Sequence, residues 1–140
     1  MTGDRCAFCD GPLLVESRAT IEHFKPKGIY PTLAYNWENL FPCCDLCQSN
    51  KLETFDELLL KPDLVGYAFA IYFVANYRTG ELEPSPAASE VDQTRAMRTI
   101  ELYGLNSARR KAARKREWEH FKIQEEPNID DFHYRFFLEI

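Results

Sequence analysis

The sequence predicts a mixed α+β fold: a small strand-strand-helix unit stapled by a bound metal, followed by a β-hairpin and C-terminal helices. Three observations carry this. Cys6-Ala-Phe-Cys9 and Cys44-Asp-Leu-Cys47 are cysteine pairs at two-residue spacing, at which a tight turn presents two thiolates to one ion, and two such turns complete a tetrahedron. Between the pairs, apolar segments are short and broken by Pro26, Gly28 and Pro31, as in strands and loops rather than long helices. Beyond them, an aromatic and β-branched run precedes two helical segments with N-cap and C-cap residues.

In chain order, residues 1–12 read as a zinc knuckle closed by Asp10-Gly11-Pro12, and Leu13–Val15 as a short apolar stretch. Ala19-Thr20-Ile21 reads as a brief strand running into Glu22-His23, and Trp37–Phe41 as a second strand stopped by Pro42. The second knuckle opens a helix from Asp45 to about Leu52, which completes a β-β-α unit holding a metal between strand end and helix. Phe69–Val74 reads as a strand, and a turn at Arg78-Thr79-Gly80 returns the chain through Glu81-Leu82-Glu83 as a hairpin. Ser89 is placed to cap a helix that ends at Gly104, and Asn106 to cap another running from Ser107 to about Gln124. Phe132–Ile140 forms a last apolar segment whose Phe132, Phe136, Phe137 and Leu138 are expected to dock on the core or on a partner.

The length of 140 residues suits one domain, 1–140, with a zinc-stapled core over 1–62 and a supporting part over 63–140. Pro84-Ser85-Pro86 is the best linker candidate, and it does not divide the chain convincingly. Composition is that of a globular protein, 45% apolar and 28% charged, with 14% aromatics for packing. No apolar run is long enough to cross a bilayer, and the start, Met1-Thr2-Gly3-Asp4-Arg5, lacks the apolar stretch of a secretory signal. A cytoplasmic protein with no membrane association is therefore expected. That compartment keeps thiols reduced, so Cys6, Cys9, Cys44 and Cys47 are read as ligands of a structural Zn²⁺ rather than disulfides. Cys43 is the odd cysteine, and the two-residue spacing favours Cys44 over it.

A phosphodiester is attacked poorly by neutral water, so its hydrolysis needs a base and a cation. His23 suits the base, because an imidazole titrates near neutrality. Glu22 is a hard ligand for Mg²⁺ or Mn²⁺. On a regular strand it points away from His23, but at a strand end both can face one site. The amide of Asn39 can both donate and accept, and so pin the loop that orients the imidazole. A side-chain oxygen from the helix after Cys47, either Gln48 or Asn50, would complete the catalytic ion's shell, and Lys51 would meet a phosphate as a point charge. His120 and His133 have no comparable setting.

Net charge is −5 and the isoelectric point near 5.2, which argues against an overall electrostatic grip on nucleic acid. The charge is uneven, however. Arg109, Arg110, Lys111, Arg114, Lys115 and Arg116 follow one another with no acid among them. They form a candidate phosphate-binding helix, weighed against a partner surface and a plain solvated face.

Cys6-x-x-Cys9, Ile21-Glu22-His23-Phe24-Lys25-Pro26-Lys27, Trp37-Glu38-Asn39-Leu40 and Cys44-x-x-Cys47-x-x-x-Lys51 together resemble the zinc-containing HNH endonucleases, in particular the small bacterial HNH proteins of Septu and retron-associated antiphage defence. The resemblance covers residues 6–51 and, more loosely, 67–118, where Thr99–Asn106 precedes the basic helix. It implies a ββα-metal (His-Me finger) core, a His base, one divalent catalytic ion, DNA as substrate, and an ABC/SMC-like ATPase as partner. One departure stands out: members usually carry His or Asn directly after the last zinc cysteine, and here that position is Gln48. Two rivals remain: a non-catalytic zinc module that binds nucleic acid or protein, and a subunit that is inert without its partner.

Overall fold

A computed structural model describes residues 3–13 and 18–140. Beyond Leu13, the apolar stretch read at Leu13–Val15 lies outside the described residues. The fold is mixed α+β, with two two-stranded antiparallel sheets, five α-helices and three 3₁₀ turns among the described residues.

The first knuckle is a backbone turn. Asp10 N donates to Cys6 O at 3.0 Å and Cys6 N to Gly11 O at 2.9 Å, with Asp10 in the left-handed region at φ 54°, which Asp tolerates better than most residues. Ala7 N donates to Pro42 O at 2.9 Å, tying this knuckle to the second strand. Strand β1 (Ala19–His23) pairs with β2 (Leu40–Cys44) in a register running from Ala19↔Cys44 to His23↔Leu40. The second strand begins at Leu40 rather than Trp37, because the Asn36 side chain caps a 3₁₀ turn over Trp37–Asn39. Helix α1 (Asp45–Lys51) follows directly, with Cys44 at its N-cap and Cys47 and Lys51, one turn apart, on its buried face.

Phe69–Val74 is not a continuous strand. Phe69–Tyr72 forms a single helical turn, α2, before β3 (Phe73–Asn76) pairs with β4 (Glu81–Pro84). The turn brings the Phe69 and Phe73 ring centroids to 4.5 Å; an extended chain would hold residues four apart at about 13 Å. Ring packing therefore overrides β propensity here. The Asn76–Gly80 turn is pressed against the chain ahead: a Cβ on Gly80, at φ 80°, would lie 2.2 Å from Lys111 O.

Helix α3 (Glu90–Leu102) starts at Ser89, whose hydroxyl accepts from Asp92 N at 3.1 Å. Helix α4 (Ala108–Phe121) has Ser107, not Asn106, at its N-cap. Asn106 instead clamps β4, accepting from Leu82 N at 2.9 Å and donating to Leu82 O at 2.8 Å. Pro84–Pro86 is no linker: Ser85 is buried and its N–H donates to Tyr72 O.

The final helix, α5 (Arg135–Glu139), folds back on the first knuckle, where Arg135 pairs with buried Asp10 at 3.1 Å. Phe132, Phe137 and Leu138 are buried there, while Phe136 stays partly exposed against Phe69. Phe8 stacks on Tyr103 at 4.1 Å in the core that joins the knuckles to α3.

Candidate functional site

The four Sγ atoms of Cys6, Cys9, Cys44 and Cys47 all lie within 4.8 Å of one another, and all four residues are buried. The chain contacts that close the two knuckles and join them to β2 bring these residues together from both ends of the unit. A tetrahedral ion bound at about 2.3 Å to sulfur requires sulfurs about 3.8 Å apart. Cys9 and Cys44 stand at 3.8 Å, far beyond the roughly 2 Å of a disulfide. Backbone N–H groups of Gly11 and Cys47 point at the sulfurs of Cys9 and Cys44, each at 3.4 Å. The donor set fits a structural metal such as zinc. Cys43 is buried beside it, but its thiol donates to Cys44 O at 3.3 Å and it is outside the four-sulfur cluster.

At the opposite end of the hairpin, the strand alternation holds through His23. Glu22 turns inward and is 3% exposed. The His23 ring is half-buried, with Nε2 at 3.0 Å from Ala34 O. A carbonyl only accepts, so Nε2 carries the proton and Nδ1 of the neutral ring holds the lone pair. Asn39 braces the segment after His23: its Oδ1 accepts from Lys25 N at 2.8 Å, and its Nδ2 donates to Lys25 O at 2.9 Å and Leu33 O at 3.3 Å.

Glu22 and Lys51 do not stand open to an ion or a phosphate. Lys51, 0% exposed, donates to Glu22 Oε1 at 2.5 Å and to His23 O at 3.2 Å. Burial pushes the Glu22 carboxyl upward, against the pull of the ammonium beside it.

Gln48 and Asn50 part company, since two residues along a helix are about 200° apart. Gln48 Nε2 donates to Ile21 O at 3.0 Å, on the β1 side. Asn50 donates to Leu46 O and lies against Gly104 at the end of α3. Asn50 therefore does not join a site with Glu22. Among the described residues, the four thiols form the one group of three or more His, Cys, Asp or Glu ligand atoms close enough to hold an ion.

The basic run is split by the helix it builds. Arg109, Lys115 and Arg116 are exposed, and half-exposed Lys111 pairs with Glu81 at 2.9 Å. Arg110 and Arg114 are 3% and 1% exposed and face the interior, so neither can meet phosphate. Burial pushes the Arg114 guanidinium down to about 10; it bonds Gly80 O and Asn106 Oδ1 and lies over the Tyr134 and Phe137 rings. Arg110 reaches the thiol cluster itself. Sequence reasoning missed these two inward arginines and the Glu22–Lys51 pair. The four-residue spacing of Arg110, Arg114 and Trp118 was the available signal for an inward stripe; nothing local links Glu22 to Lys51. His120 bonds Gln124, and His133 faces Glu117.

No family model matches the chain. A 52-residue segment, 36% of the chain, is 42% identical to Septu protein PtuB of Bacillus thuringiensis. The match spans 20% of that protein's length. No described helix is long and apolar enough to cross a membrane.

Proposed function

We propose that this chain is a small nuclease of the HNH type that hydrolyses DNA phosphodiester bonds, working with an ATPase of the ABC/SMC kind in antiphage defence. The observation that carries the reading is the setting of His23. It lies at the loop end of a hairpin whose other end runs into the thiol cluster, with its ring fixed by Ala34 O and its following loop braced by Asn39. The β1-β2-α1 order agrees with a ββα-metal core. The similarity to a Septu protein supports a defence role and a partner.

In this reading, bound zinc supplies a fold-holding crosslink. With Nε2–H donated to Ala34 O, His23 Nδ1 takes a proton from water, the resulting hydroxide attacks phosphorus in line, the departing 3′ oxygen takes a proton from solvent, and the imidazolium returns its proton to solvent. Asn39 keeps the imidazole in place. Lys25 and Lys27, on the loop that follows, are the cations nearest in sequence for the phosphate. Of the residues expected to hold a catalytic Mg²⁺ or Mn²⁺, Glu22 is engaged by Lys51 and Asn50 faces away, so neither fits the ion, while Gln48 spends only its amide nitrogen on Ile21 O.

That same engagement favours a second reading, a zinc module that binds its partner or nucleic acid without cleaving. Plasmid nicking separates the two. Supercoiled plasmid is incubated with the native chain and with His23→Ala, each alone and each co-purified with its partner ATPase, with Mg²⁺ or Mn²⁺ present. The nuclease reading expects nicking by the native chain and none by the variant. Equal outcomes from both in every condition would leave the binding module.

A further inference from the structure

Arg110 and Arg114 lie one turn apart on the inward face of α4, and both are buried. Among the described residues, neither guanidinium bonds to a carboxylate. Buried cations persist in proteins when an anion answers them. Arg110 shows which anion. Its Nη1 donates to Tyr103 O at 2.7 Å and Gly104 O at 2.9 Å, closing the end of α3. Its Nη2 donates to Cys47 Sγ at 3.1 Å and Cys44 Sγ at 3.4 Å. A guanidinium only donates, so both sulfurs accept. Four thiolates around one divalent ion carry a net charge of −2, and these four are buried. Such a centre favours positive charge close by, and α4 delivers Arg110 directly to two of its sulfurs.

We propose that Arg110 is the direct counter-ion of the metal centre, offsetting part of the charge of the four thiolates and fastening α4 to the metal. The four sulfurs and Arg110 then form a single site. Its N–H donors draw electron density from the Cys44 and Cys47 thiolates and slow their exchange with competing ligands or protons. The basic run owes one of its six cations to this task. The inference rests on the thiols being a metal site and is independent of the nuclease reading.

The test uses the full zinc-loaded chain, with metal counted per chain by mass spectrometry and zinc release followed in excess 4-(2-pyridylazo)resorcinol. Arg110→Met removes the charge, Arg110→Lys keeps it without spanning carbonyls and sulfurs, and Arg109→Ala is the surface control. Release is expected to quicken about tenfold or more in Arg110→Met, less in Arg110→Lys, and not at all in Arg109→Ala. In cobalt-substituted protein, the sulfur-to-metal charge-transfer band is expected to move to lower energy in Arg110→Met, which packing alone would not cause. Should Arg110→Met fail to fold, Arg110→Lys decides. Should neither fold, cadmium-113 in the unaltered chain decides, with scalar coupling through sulfur to the Arg110 Nη protons expected and its absence overturning the proposal. A zinc-loaded chain whose release rate and cobalt band ignore Arg110 overturns the counter-ion role alone. A folded chain without zinc overturns the metal site beneath it.

Discussion

The two ends of the β1–β2 hairpin are built on opposite principles. At the Ala19↔Cys44 end, four thiols, two backbone N–H donors and a buried arginine converge, and every sulfur is shielded from water. At the His23↔Leu40 end, one imidazole stands half in solvent, held by a single carbonyl and by a loop that Asn39 braces. Between them, the Glu22–Lys51 pair lies under the strand. Rigidity is concentrated where the chain needs a crosslink, and the accessible group is carried on the stiffened strand. A unit this small has little apolar core of its own, so a metal centre is an effective way to hold its strands and helix in place.

The largest effect expected from breaking this contrast is at the sulfur end. Cys44→Ser, or removal of the metal by chelation, should unfold the N-terminal unit, at a cost on the order of 10 kcal/mol, read as loss of far-ultraviolet circular dichroism together with loss of zinc. Next comes the buried pair. Lys51→Met strands the Glu22 carboxylate and should lower stability by about 3–5 kcal/mol in urea denaturation. Glu22→Leu combined with Lys51→Met should recover most of that loss, which a double-mutant cycle would measure. Asn39→Ala leaves the Lys25 N–H without its acceptor and should cost about 1–3 kcal/mol, seen as a lowered thermal midpoint. His23→Ala should cost about 1 kcal/mol at most, and under the proposed nuclease reading it should abolish plasmid nicking. If His23→Ala instead destabilised the fold as much as Cys44→Ser, the two ends would not differ as described.

Local signals were legible in the sequence where one residue type decides the geometry. The two CxxC pairs announced the sulfur cluster, and the strand entering Glu22-His23 and the helix opening at the second knuckle emerged at their expected places. Legibility failed where tertiary packing chose among local options. Phe69 and Phe73 bring their rings into contact only if the chain turns once, so a run with strand propensity became a helical turn. Asn106 found β4 within reach and left the helix cap to Ser107. The site divides in the same way. The bracing bonds of Asn39 follow from an amide next to a short turn. The partner of Glu22 lies across the unit on α1, and no spacing in the sequence encodes it. The basic run looked uniform as letters, but the helical period turned Arg110 and Arg114 inward.

The contrast between the two ends depends on one metal ion, bound by sulfur alone, holding this unit together. X-ray absorption at the zinc edge of the purified chain tests it most directly. The account predicts one zinc per chain with four sulfur neighbours at about 2.3 Å. Nitrogen or oxygen in that shell, or a folded chain that carries no zinc, would contradict it.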